Sequence, residues 1–510
     1  MSTPIAWDDP FRVNAKALRK QFDSDLAGLA NGGFISVWTD NSRTGADVSG
    51  SAVRAQIIDA FGHRTGAEFL VNTSTKASQF APCITALSGG RVVVLWKDAV
   101  DPVGKVAGFI RGQIFNADGS KAGNEFVVHT SLSYIDKVTH AGESVTHSVG
   151  NVVALPNGGF AVLSFEGFYN DFDWAVSTLT EVITFYSANG TEVASTSGRL
   201  TGTTFSSGHS EMEVLRNGRV VVVTHTVPEF GDERSSVRIY SANGTPLFSA
   251  DITSAAAGRR LDEVCPLATN GFMVLWTESE TSPDSTIVGQ IYSNGGAAIG
   301  TEFQVADLGS SPDEIVASAL PDGTVIVIWL DDGNVMGQLL NADGSKSGDQ
   351  FTIHGLGLAG TATVSALADG RFVVSWDQAN LAHTDSEVFA QIYDSRLGPI
   401  DLNGTAQNDS FVGTAFDDTI LGSFGHDTIA GGAGNDRLYG ENGNDSISGG
   451  EGHDTLSGNS GNDRLNGGAG NDTMSGSSGN DLYTVDSDGD VVIEFADQGS
   501  TAFAARSTTT

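Results

Sequence analysis

A hydrophobic and polar pattern of the form L-x-(D/N)-G-x-Φ-x-V-x-W, where Φ is apolar, recurs through the first 400 residues. An Asn-Gly or Asp-Gly pair followed by alternating β-branched residues is typical of a β-hairpin. Most copies continue into two further alternating runs, as after Ile110, Ile287 and Val335. Four antiparallel strands per repeat make one blade, so the pattern predicts an all-β fold with a seven-bladed β-propeller over residues 1–400. The seven copies begin at Leu29, Leu87, Leu155, Leu215, Leu267, Leu320 and Leu367.

The two ends of this repeat array are offset by one strand. The seventh copy has a third strand from Val388 but no good fourth strand, and the first copy is preceded by an isolated strand-like phrase, PFRVN, from Pro10. We expect the N-terminal strand to complete the last blade, because this closes the ring and hides two sheet edges that would otherwise invite aggregation.

From Gly404 the period drops to nine, and ten nonapeptides fill residues 404–493 without insertion. Positions 1 and 4 are usually glycine, position 6 is aspartate and position 8 is apolar. Glycine permits turns with positive φ that aim backbone carbonyls inward, and aspartate supplies the hard carboxylate oxygen that Ca²⁺ prefers. A flexible linker would not keep an apolar residue at every ninth position, so the pattern predicts short strands around a narrow core, at Ile420, Ile429, Leu438, Ile447, Leu456, Leu465, Met474 and Tyr483.

The predicted metal-site residues are the position-6 aspartates and the glycines of the seven strongest repeats. Asp409 and Asp418 are weaker candidates, because Gln407 and Phe416 replace their position-4 glycines. The strong carboxylates are Asp427, Asp436, Asp445, Asp454, Asp463, Asp472 and Asp481. The accompanying glycines are Gly422, Gly425, Gly431, Gly434, Gly440, Gly443, Gly449, Gly452, Gly458, Gly461, Gly467, Gly470, Gly476 and Gly479. His426 and His453, at position 5, are expected on the loop exterior.

These nonapeptides resemble the repeats-in-toxin (RTX, hemolysin-type) family, whose repeat is G-G-x-G-x-D-x-U-x. The resemblance implies a right-handed parallel β-roll over residues 401–494, with two nonapeptides per turn and a short tail over 495–510. It implies that each Ca²⁺ lies between loops n and n+2, so seven good loops give about five ions or more. It also implies export of the unfolded chain through a type I secretion apparatus to the extracellular medium or the cell surface.

Composition narrows the possible partners. The net charge of −35, from 62 acidic and 27 basic residues, argues against nucleic acid. The N-terminus lacks an apolar signal-peptide core, and no apolar run is long enough for a transmembrane span. Only Cys83 and Cys265 are present, so a disulfide framework is excluded and free buried thiols are expected.

Calcium is expected to switch the folding of the repeats. Rows of aspartates one turn apart repel each other, and glycine-rich strands this short do not stabilise a sheet alone. Five sites at ten times their Kd would add about 7 kcal/mol to the folded state. Millimolar extracellular calcium would therefore fold the repeats, whereas submicromolar calcium inside a cell would not.

Two functions remain open for the propeller, and the sequence favours binding over catalysis. The first is a recognition or adhesion module for a glycan or a cell-surface protein, with variable loops on one face, including the stretch from Glu166 that carries four aromatic residues. Those rings alternatively pack on a neighbouring blade. The second is a polysaccharide lyase or glycosidase with its site at the channel mouth. Its candidate residues, which are alternatively only solvated strand ends, are Glu211, His209, Asp262, Glu263, Asp313, Glu314, Arg259 and Arg260.

Overall fold

The computed structural model describes most of the chain, and all its regular elements there are β-strands. The described residues are 4–15, 20–43, 50–75, 78–99, 106–107, 109–128, 143–170, 176–200, 205–228, 234–252, 259–279, 285–308, 312, 314–355, 358–380, 385–396, 398–494 and 502–504.

The first 29 strands build the N-terminal part of the molecule. They are β1 (Ile5–Arg12), β2 (Gln21–Gly28), β3 (Phe34–Asp40), β4 (Ala52–Ile58), β5 (Arg64–Leu70), β6 (Gln79–Leu87), β7 (Arg91–Asp98), β8 (Val106–Ala107), β9 (Phe109–Phe115), β10 (Phe126–Val127), β11 (Glu143–Ala154), β12 (Phe160–Asn170), β13 (Val176–Tyr186), β14 (Glu192–Leu200), β15 (Phe205–Val214), β16 (Val220–Pro228), β17 (Arg234–Tyr240), β18 (Pro246–Asp251), β19 (Arg259–Pro266), β20 (Phe272–Ser279), β21 (Ser285–Tyr292), β22 (Ala298–Leu308), β23 (Ile315–Ala319), β24 (Val325–Asp331), β25 (Asn334–Leu340), β26 (Phe351–His354), β27 (Ala359–Ala366), β28 (Phe372–Ala379) and β29 (Ser386–Asp394).

These strands form seven four-stranded antiparallel blades. Blades 1, 2, 5, 6 and 7 are separate sheets, whereas blades 3 and 4 join in one nine-stranded sheet that also includes β8. The join is a single pairing between Val176 of β13 and Phe205 of β15. The predicted seven-bladed propeller is thereby confirmed.

The N-terminal strand is the outer strand of the seventh blade. β1 pairs antiparallel with β29, with Ile5 opposite Asp394 and Arg12 opposite Phe389. The backbone N–H of Val13 then donates to the carbonyl of Val388 at 2.8 Å. The strand that opens the chain thus covers an edge that the seventh copy of the pattern leaves unpaired.

The propeller core lies between the blades. Seven hydrophobic clusters each join two consecutive blades, and one of them connects blade 7 back to blade 1 through Leu367, Val388 and Trp38. Tryptophans that close the repeated pattern, such as Trp96 and Trp329, are almost fully buried in these clusters. Burial of such tryptophans at five of the seven blade interfaces favours closure of the ring.

Residues 401–493 form a parallel two-sheet roll. One sheet contains β30 (Asp401–Asn403), β32 (Thr419–Leu421), β34 (Arg437–Asn442), β36 (Thr455–Ser460), β38 (Thr473–Ser475) and β40 (Val491–Ile493). The other contains β31 (Ser410–Val412), β33 (Thr428–Ala433), β35 (Ser446–Gly452), β37 (Arg464–Gly470) and β39 (Leu482–Thr484), and it ends with β41 (Ala502–Ala504).

Strands in each sheet pair with an offset of 18 residues, as Ile429 does with Ile447 and Ile447 does with Leu465. One turn of the roll is therefore two nonapeptides, which confirms the predicted parallel roll. The apolar residues at position 8 are buried in one narrow cluster from Phe411 to Tyr483. Because each strand is so short, the loops between the strands make up much of this region.

Candidate calcium array and propeller channel

The position-6 aspartates form two ladders along the roll. The backbone N–H of Asp427 donates to Oδ1 of Asp445 at 2.8 Å, and the same contact joins Asp445 to Asp463. On the other side of the roll, Asp436 donates in the same way to Asp454. All of these side chains are buried. The 18-residue repeat thus fixes one oxygen of each carboxylate and stacks like charges at every turn.

The second oxygen of each strong carboxylate has no such bond. This Oδ2 atom is buried and has no hydrogen-bond partner among the described residues. The seven aspartates concerned are Asp427, Asp436, Asp445, Asp454, Asp463, Asp472 and Asp481. A buried carboxylate oxygen without a partner carries its full desolvation cost, so it needs a cation or a proton. These seven side chains are the seven that the sequence ranks as strong.

The pKa values of these carboxyl groups are raised, as expected for buried carboxylates with an unpaired oxygen. Burial raises the pKa of Asp427, Asp436 and Asp463 to about 7, only partly offset by a backbone hydrogen bond, and neighbouring aspartates raise it further. Burial also raises the pKa of Asp445, Asp454, Asp472 and Asp481. A divalent cation would replace the proton that this environment favours.

Glycine at position 4 is required by the stacking of loops. Gly443 has a φ of 147°, and a Cβ atom there would lie 1.4 Å from the carbonyl oxygen of Gly425, one turn earlier. At position 1, a Cβ on Gly440 would lie 2.3 Å from Oδ2 of Asp445. Both glycines therefore keep side chains away from the carbonyls and carboxylates that face into the loops.

The donor set of the loops fits calcium. No three histidine, cysteine or acidic side chains in the described part of the chain group closely enough to hold a metal by themselves. A site here would combine aspartate oxygens with backbone carbonyls, and an all-oxygen shell of six to eight ligands is what Ca²⁺ takes. The residues present therefore fit calcium better than zinc, which prefers nitrogen and sulfur ligands.

Asp409 and Asp418 are arranged differently from the strong carboxylates. Oδ2 of Asp418 accepts from the backbone N–H of Thr414 at 2.5 Å and from its hydroxyl at 3.0 Å, while Oδ1 accepts from the N–H of Ile400. Thr405 donates to both oxygens of Asp409 in the same way. The missing position-4 glycines set these two aspartates apart in the sequence, and the threonine at position 2 of each nonapeptide is the further signal that distinguishes them.

The position-5 side chains form a second, exposed ladder. Nδ1 of His426 accepts from the backbone N–H of Asn444 at 2.8 Å, and Nδ1 of His453 accepts from that of Asn471 at 2.9 Å. Both rings are exposed. The histidines therefore lie on the loop exterior and support the stacking of turns.

The carboxylate ladder extends one residue beyond the predicted set. Oδ1 of Asp490 accepts from the backbone N–H of Asp472 at 3.0 Å, and its Oδ2 accepts from the N–H groups of Asp486 and Ser487. Asp490 thus closes the C-terminal end of one ladder. Asp490 lies outside the predicted set because its nonapeptide has Val485 and Asp488 in place of the position-1 and position-4 glycines.

The innermost strands of the propeller enclose a channel of about 1090 Å³. The structure brings five of the eight candidate residues for catalysis to its wall: Glu211, Arg260, Asp262, Glu263 and Glu314. It adds Asp25 and Glu213, which the sequence analysis did not name. Arg259 instead pairs with Glu278 and Glu302 and lies over the ring of Trp276. Asp313 and the side chain of His209 lie outside the described residues.

Burial changes the protonation of the channel carboxyl groups. It raises the pKa of Asp25 to about 6, of Glu314 to about 7 and of Glu213 to about 8. Two of these groups also connect blades, because Asp25 accepts from the N–H of Ile84 and Glu314 accepts from that of Ala362. The channel is therefore an acidic cavity, and some of the carboxyl groups in its wall also hold neighbouring blades together.

Other expectations for the propeller have mixed outcomes. Both cysteines are free, but only Cys265 is buried, whereas Cys83 is partly buried at the channel wall. The aromatic stretch from Glu166 is shorter as a loop than expected, because β12 continues through Asn170 and pairs with β13. Phe172 and Trp174, and the side chains of Phe168 and Tyr169, lie outside the described residues.

Comparison with known families identifies the repeats. A family model for the RTX calcium-binding nonapeptide repeat, which spans four copies, matches residues 403–438, 421–456, 448–483 and 457–492. The C-terminal region is therefore a calcium-binding β-roll of RTX repeats. The protein as a whole combines this roll with an N-terminal seven-bladed β-propeller.

Several solved structures are similar to the chain at low identity and with TM-scores below 0.5. A protein of unknown function from Dyadobacter fermentans has 12% identity and a TM-score of 0.46, covering 77% of this chain and 99% of that chain. The Penicillium chrysogenum α-L-arabinanase complexed with arabinobiose has 13% identity and a TM-score of 0.39, covering 61% and 92%. The polysaccharide lyase Uly1 has 9% identity and a TM-score of 0.46, covering 77% and 100%. Similarity at this level does not assign an activity.

No curated protein sequence matches the chain. A search of the described residues also finds no helix that is long and apolar enough to cross a membrane.

Proposed function

We propose that this protein leaves the cell as an unfolded chain through a type I secretion apparatus and folds its roll on extracellular calcium. The propeller then acts as a recognition or adhesion module for a glycan or a cell-surface protein. The observation that carries the proposal is the row of seven buried aspartate oxygens without hydrogen-bond partners in the described residues. This arrangement is costly without a cation and favourable with one, so calcium concentration decides whether the roll is ordered.

The proposed ligands are the seven strong aspartates with the backbone carbonyls of their loops. Carboxylates one turn apart pair as Asp427 with Asp445 and Asp436 with Asp454, and so on to Asp463 with Asp481. Each such pair would hold one ion between its two loops, which gives about five ions. When bound, calcium neutralises the stacked carboxylates and completes its shell with carbonyl oxygens. The chain's own contribution is to aim those oxygens inward.

Limited proteolysis of the full chain tests the folding step. At submicromolar free calcium, a protease should cleave residues 422–484 while the propeller fragment survives. At millimolar calcium the full chain should persist, and magnesium at the same concentration should not protect it. Equal resistance of the repeats in chelator and in calcium would contradict the proposal.

The recognition role is supported by the difference between the short turns next to the roll and the longer connections elsewhere in the propeller. Short turns such as Asn31–Gly33 face the roll, since the backbone carbonyl of Asn31 accepts from the N–H of Ser410. The longer connections between other strands, which vary in length along the sequence, are the proposed binding surface. A glycan array and a cell-binding assay with calcium-folded protein test this role, and the absence of any ligand in both would count against it.

A second candidate function is acid–base catalysis on a polysaccharide inside the channel. The specific observation in its favour is a cavity of about 1090 Å³ whose carboxyl groups have separated pKa values, about 6 for Asp25 and about 8 for Glu213. A carboxyl group that stays protonated in the same cavity as one that ionises would supply the acid and base roles of glycoside hydrolysis.

Activity screening on acidic and neutral polysaccharides tests this candidate. Turnover should be lost in Glu213→Gln and in Glu263→Gln, both at the channel wall. It should be unchanged in Asp343→Asn, because that carboxylate is exposed in a turn between outer strands. No turnover on any substrate, or equal turnover in all three variants, would leave recognition as the function.

A further inference from the structure

Arg396 lies at the junction of the propeller and the roll, two residues after β29. Its side chain is 5% exposed and pairs with Asp394 at 2.8 Å. Nη1 donates to the carbonyl of Asp369 at 3.0 Å and to that of Val412 at 2.8 Å, and Nη2 donates to the carbonyl of Gly413 at 2.7 Å. One buried guanidinium therefore binds backbone oxygens of blade 7 and of the first turn of the roll.

The contact continues into the body of the propeller. Asp369, in the turn before β28, also binds the guanidinium of Arg371, and both side chains are fully buried. Arg371 in turn donates to the carbonyl of Ala60 in blade 1 at 2.5 Å. A continuous network thus runs from the carbonyls of Val412 and Gly413 to two blades. Buried, charge-assisted hydrogen bonds of this kind are among the strong ones.

The first turn of the roll also docks directly on blade 1. The backbone N–H of Ser410 donates to the carbonyl of Asn31 at 2.8 Å. The contact is close, because a Cβ atom on Gly32 would lie 1.9 Å from the carbonyl oxygen of Ser410. The first turn therefore touches the propeller through backbone atoms as well as through Arg396.

The carboxylates of this first turn need no metal. Thr405 satisfies both oxygens of Asp409, and Thr414 with Ile400 satisfies both oxygens of Asp418. From Asp427 onward, the corresponding Oδ2 atoms have no partner in the described residues. The change from satisfied to unsatisfied carboxylates falls between the second and third nonapeptides, after one complete turn.

We propose that residues 400–421 form a metal-independent cap, held on the propeller by Arg396, from which calcium-dependent order spreads toward the C-terminus. The guanidinium supplies the cation at the first turn, and the threonines supply the hydrogen bonds. The preformed strands β31 and β32 then present edges with which β33 and β34 can pair. The later turns therefore avoid the entropic cost of nucleating a new sheet from a disordered chain. This inference rests on the proposed calcium-dependent folding of the later turns.

Hydrogen exchange of the full chain, followed by mass spectrometry over a range of free calcium, tests the cap. In chelator, peptides within residues 401–421 should exchange as slowly as propeller strands, and at least about tenfold more slowly than peptides within 440–484. Calcium should then slow exchange in 440–484 but not in 401–421. Equally fast exchange in both segments in chelator would overturn the cap.

Two variants test its anchoring. Arg396→Met removes the donors at the junction, whereas Arg464→Met removes the same charge from an exposed site on the roll. Arg396→Met should raise the calcium midpoint of ordering at least about threefold and leave the number of bound ions unchanged. Arg464→Met should leave the midpoint within about twofold of the wild type. Equal midpoints in the two variants would overturn the role of Arg396.

A third variant keeps the test informative if Arg396→Met does not fold. The double change Thr405→Val and Thr414→Val should speed exchange in 401–421 in chelator, whereas Thr455→Val, at an exposed position, should not. Unchanged exchange in the double variant would also overturn the cap. If residues 440–484 show no response to calcium, the proposed folding function fails, while slow exchange in 401–421 still measures the cap separately.

Discussion

The backbone N–H of Asp445 donates to Oδ1 of Asp463 at 2.8 Å, while Oδ2 of the same carboxylate is buried without a partner in the described residues. One oxygen of Asp463 therefore holds two turns together, and the other is free to bind a cation. The two roles are separable by mutation, because an asparagine keeps a carbonyl oxygen for the ladder but has neither the charge nor the second oxygen.

Asp463→Asn should lower the number of bound calcium ions by one or two and raise the calcium midpoint of folding about threefold to tenfold. The control is Asp417→Asn, since Asp417 is exposed and its Oδ1 accepts from Asn435 in the outer ladder. Equilibrium dialysis and native mass spectrometry give the stoichiometry. An equal loss of ions in both variants would show that net charge, and not the buried oxygen, sets binding.

The narrow core of the roll should be sensitive to volume. Leu456 is 1% exposed in the position-8 cluster, so Leu456→Ala should destabilise the calcium-loaded roll by about 2–4 kcal/mol. Phe424 is 59% exposed, and Phe424→Ala should change stability by less than about 0.5 kcal/mol. Guanidinium unfolding at saturating calcium, followed by circular dichroism, measures both. A larger loss in Phe424→Ala than in Leu456→Ala would contradict the observed packing.

Loop stacking should not tolerate a side chain at position 4. Gly443→Ala would place a Cβ atom 1.4 Å from the carbonyl of Gly425, so this variant should fail to order the turns around it even in millimolar calcium. Gly398→Ala is the matched control, because no atom lies within 4 Å of a Cβ there. Hydrogen exchange of residues 422–460 measures the effect. If these residues are as well protected in Gly443→Ala as in the control, the stacked geometry is refuted.

Stability of the propeller should fall as pH rises. The pKa of Glu213 in the folded protein is about 8, against an ordinary value of 4.5. The folded state therefore keeps a proton that the unfolded state releases, so the free energy of unfolding decreases between about pH 4.5 and pH 8, here by about 1–3 kcal/mol.

Urea unfolding followed by tryptophan fluorescence at about pH 5 and about pH 8 measures this difference. Glu213→Gln should make the two values more nearly equal, because glutamine does not titrate. A wild-type propeller that is more stable at the higher pH would contradict the burial of Glu213 as the cause.

Much of the fold could be predicted because short, regularly repeated sequence patterns specify its strands and turns. The hairpin phrase ending at Trp38 or Trp96 specifies a blade wherever it occurs, and an apolar residue at every ninth position, as at Leu438 and Ile447, specifies a strand of the roll. Such signals depend on neighbouring residues only. The strong aspartates could be named for the same reason.

The rest could not be predicted because it depends on contacts between distant residues. Nothing near Arg396 in the sequence indicates that it binds the carbonyls of Asp369 and Gly413, since that contact exists only once the first turn of the roll packs against blade 7. Glu213 likewise gains its raised pKa from burial in a channel that all seven blades enclose. The threonines at 405 and 414 were visible, but their effect requires the loop geometry that places them beside a carboxylate.

A far-UV circular dichroism titration of the full chain with Ca²⁺, and separately with Mg²⁺, tests the central claim most directly. The propeller contributes a constant background, so a change reports the roll. The account predicts a saturable gain of β-sheet signal with calcium and none with magnesium, which dehydrates reluctantly and demands a tight octahedral shell. An identical spectrum in chelator and in millimolar calcium, or the same gain with magnesium, would contradict it.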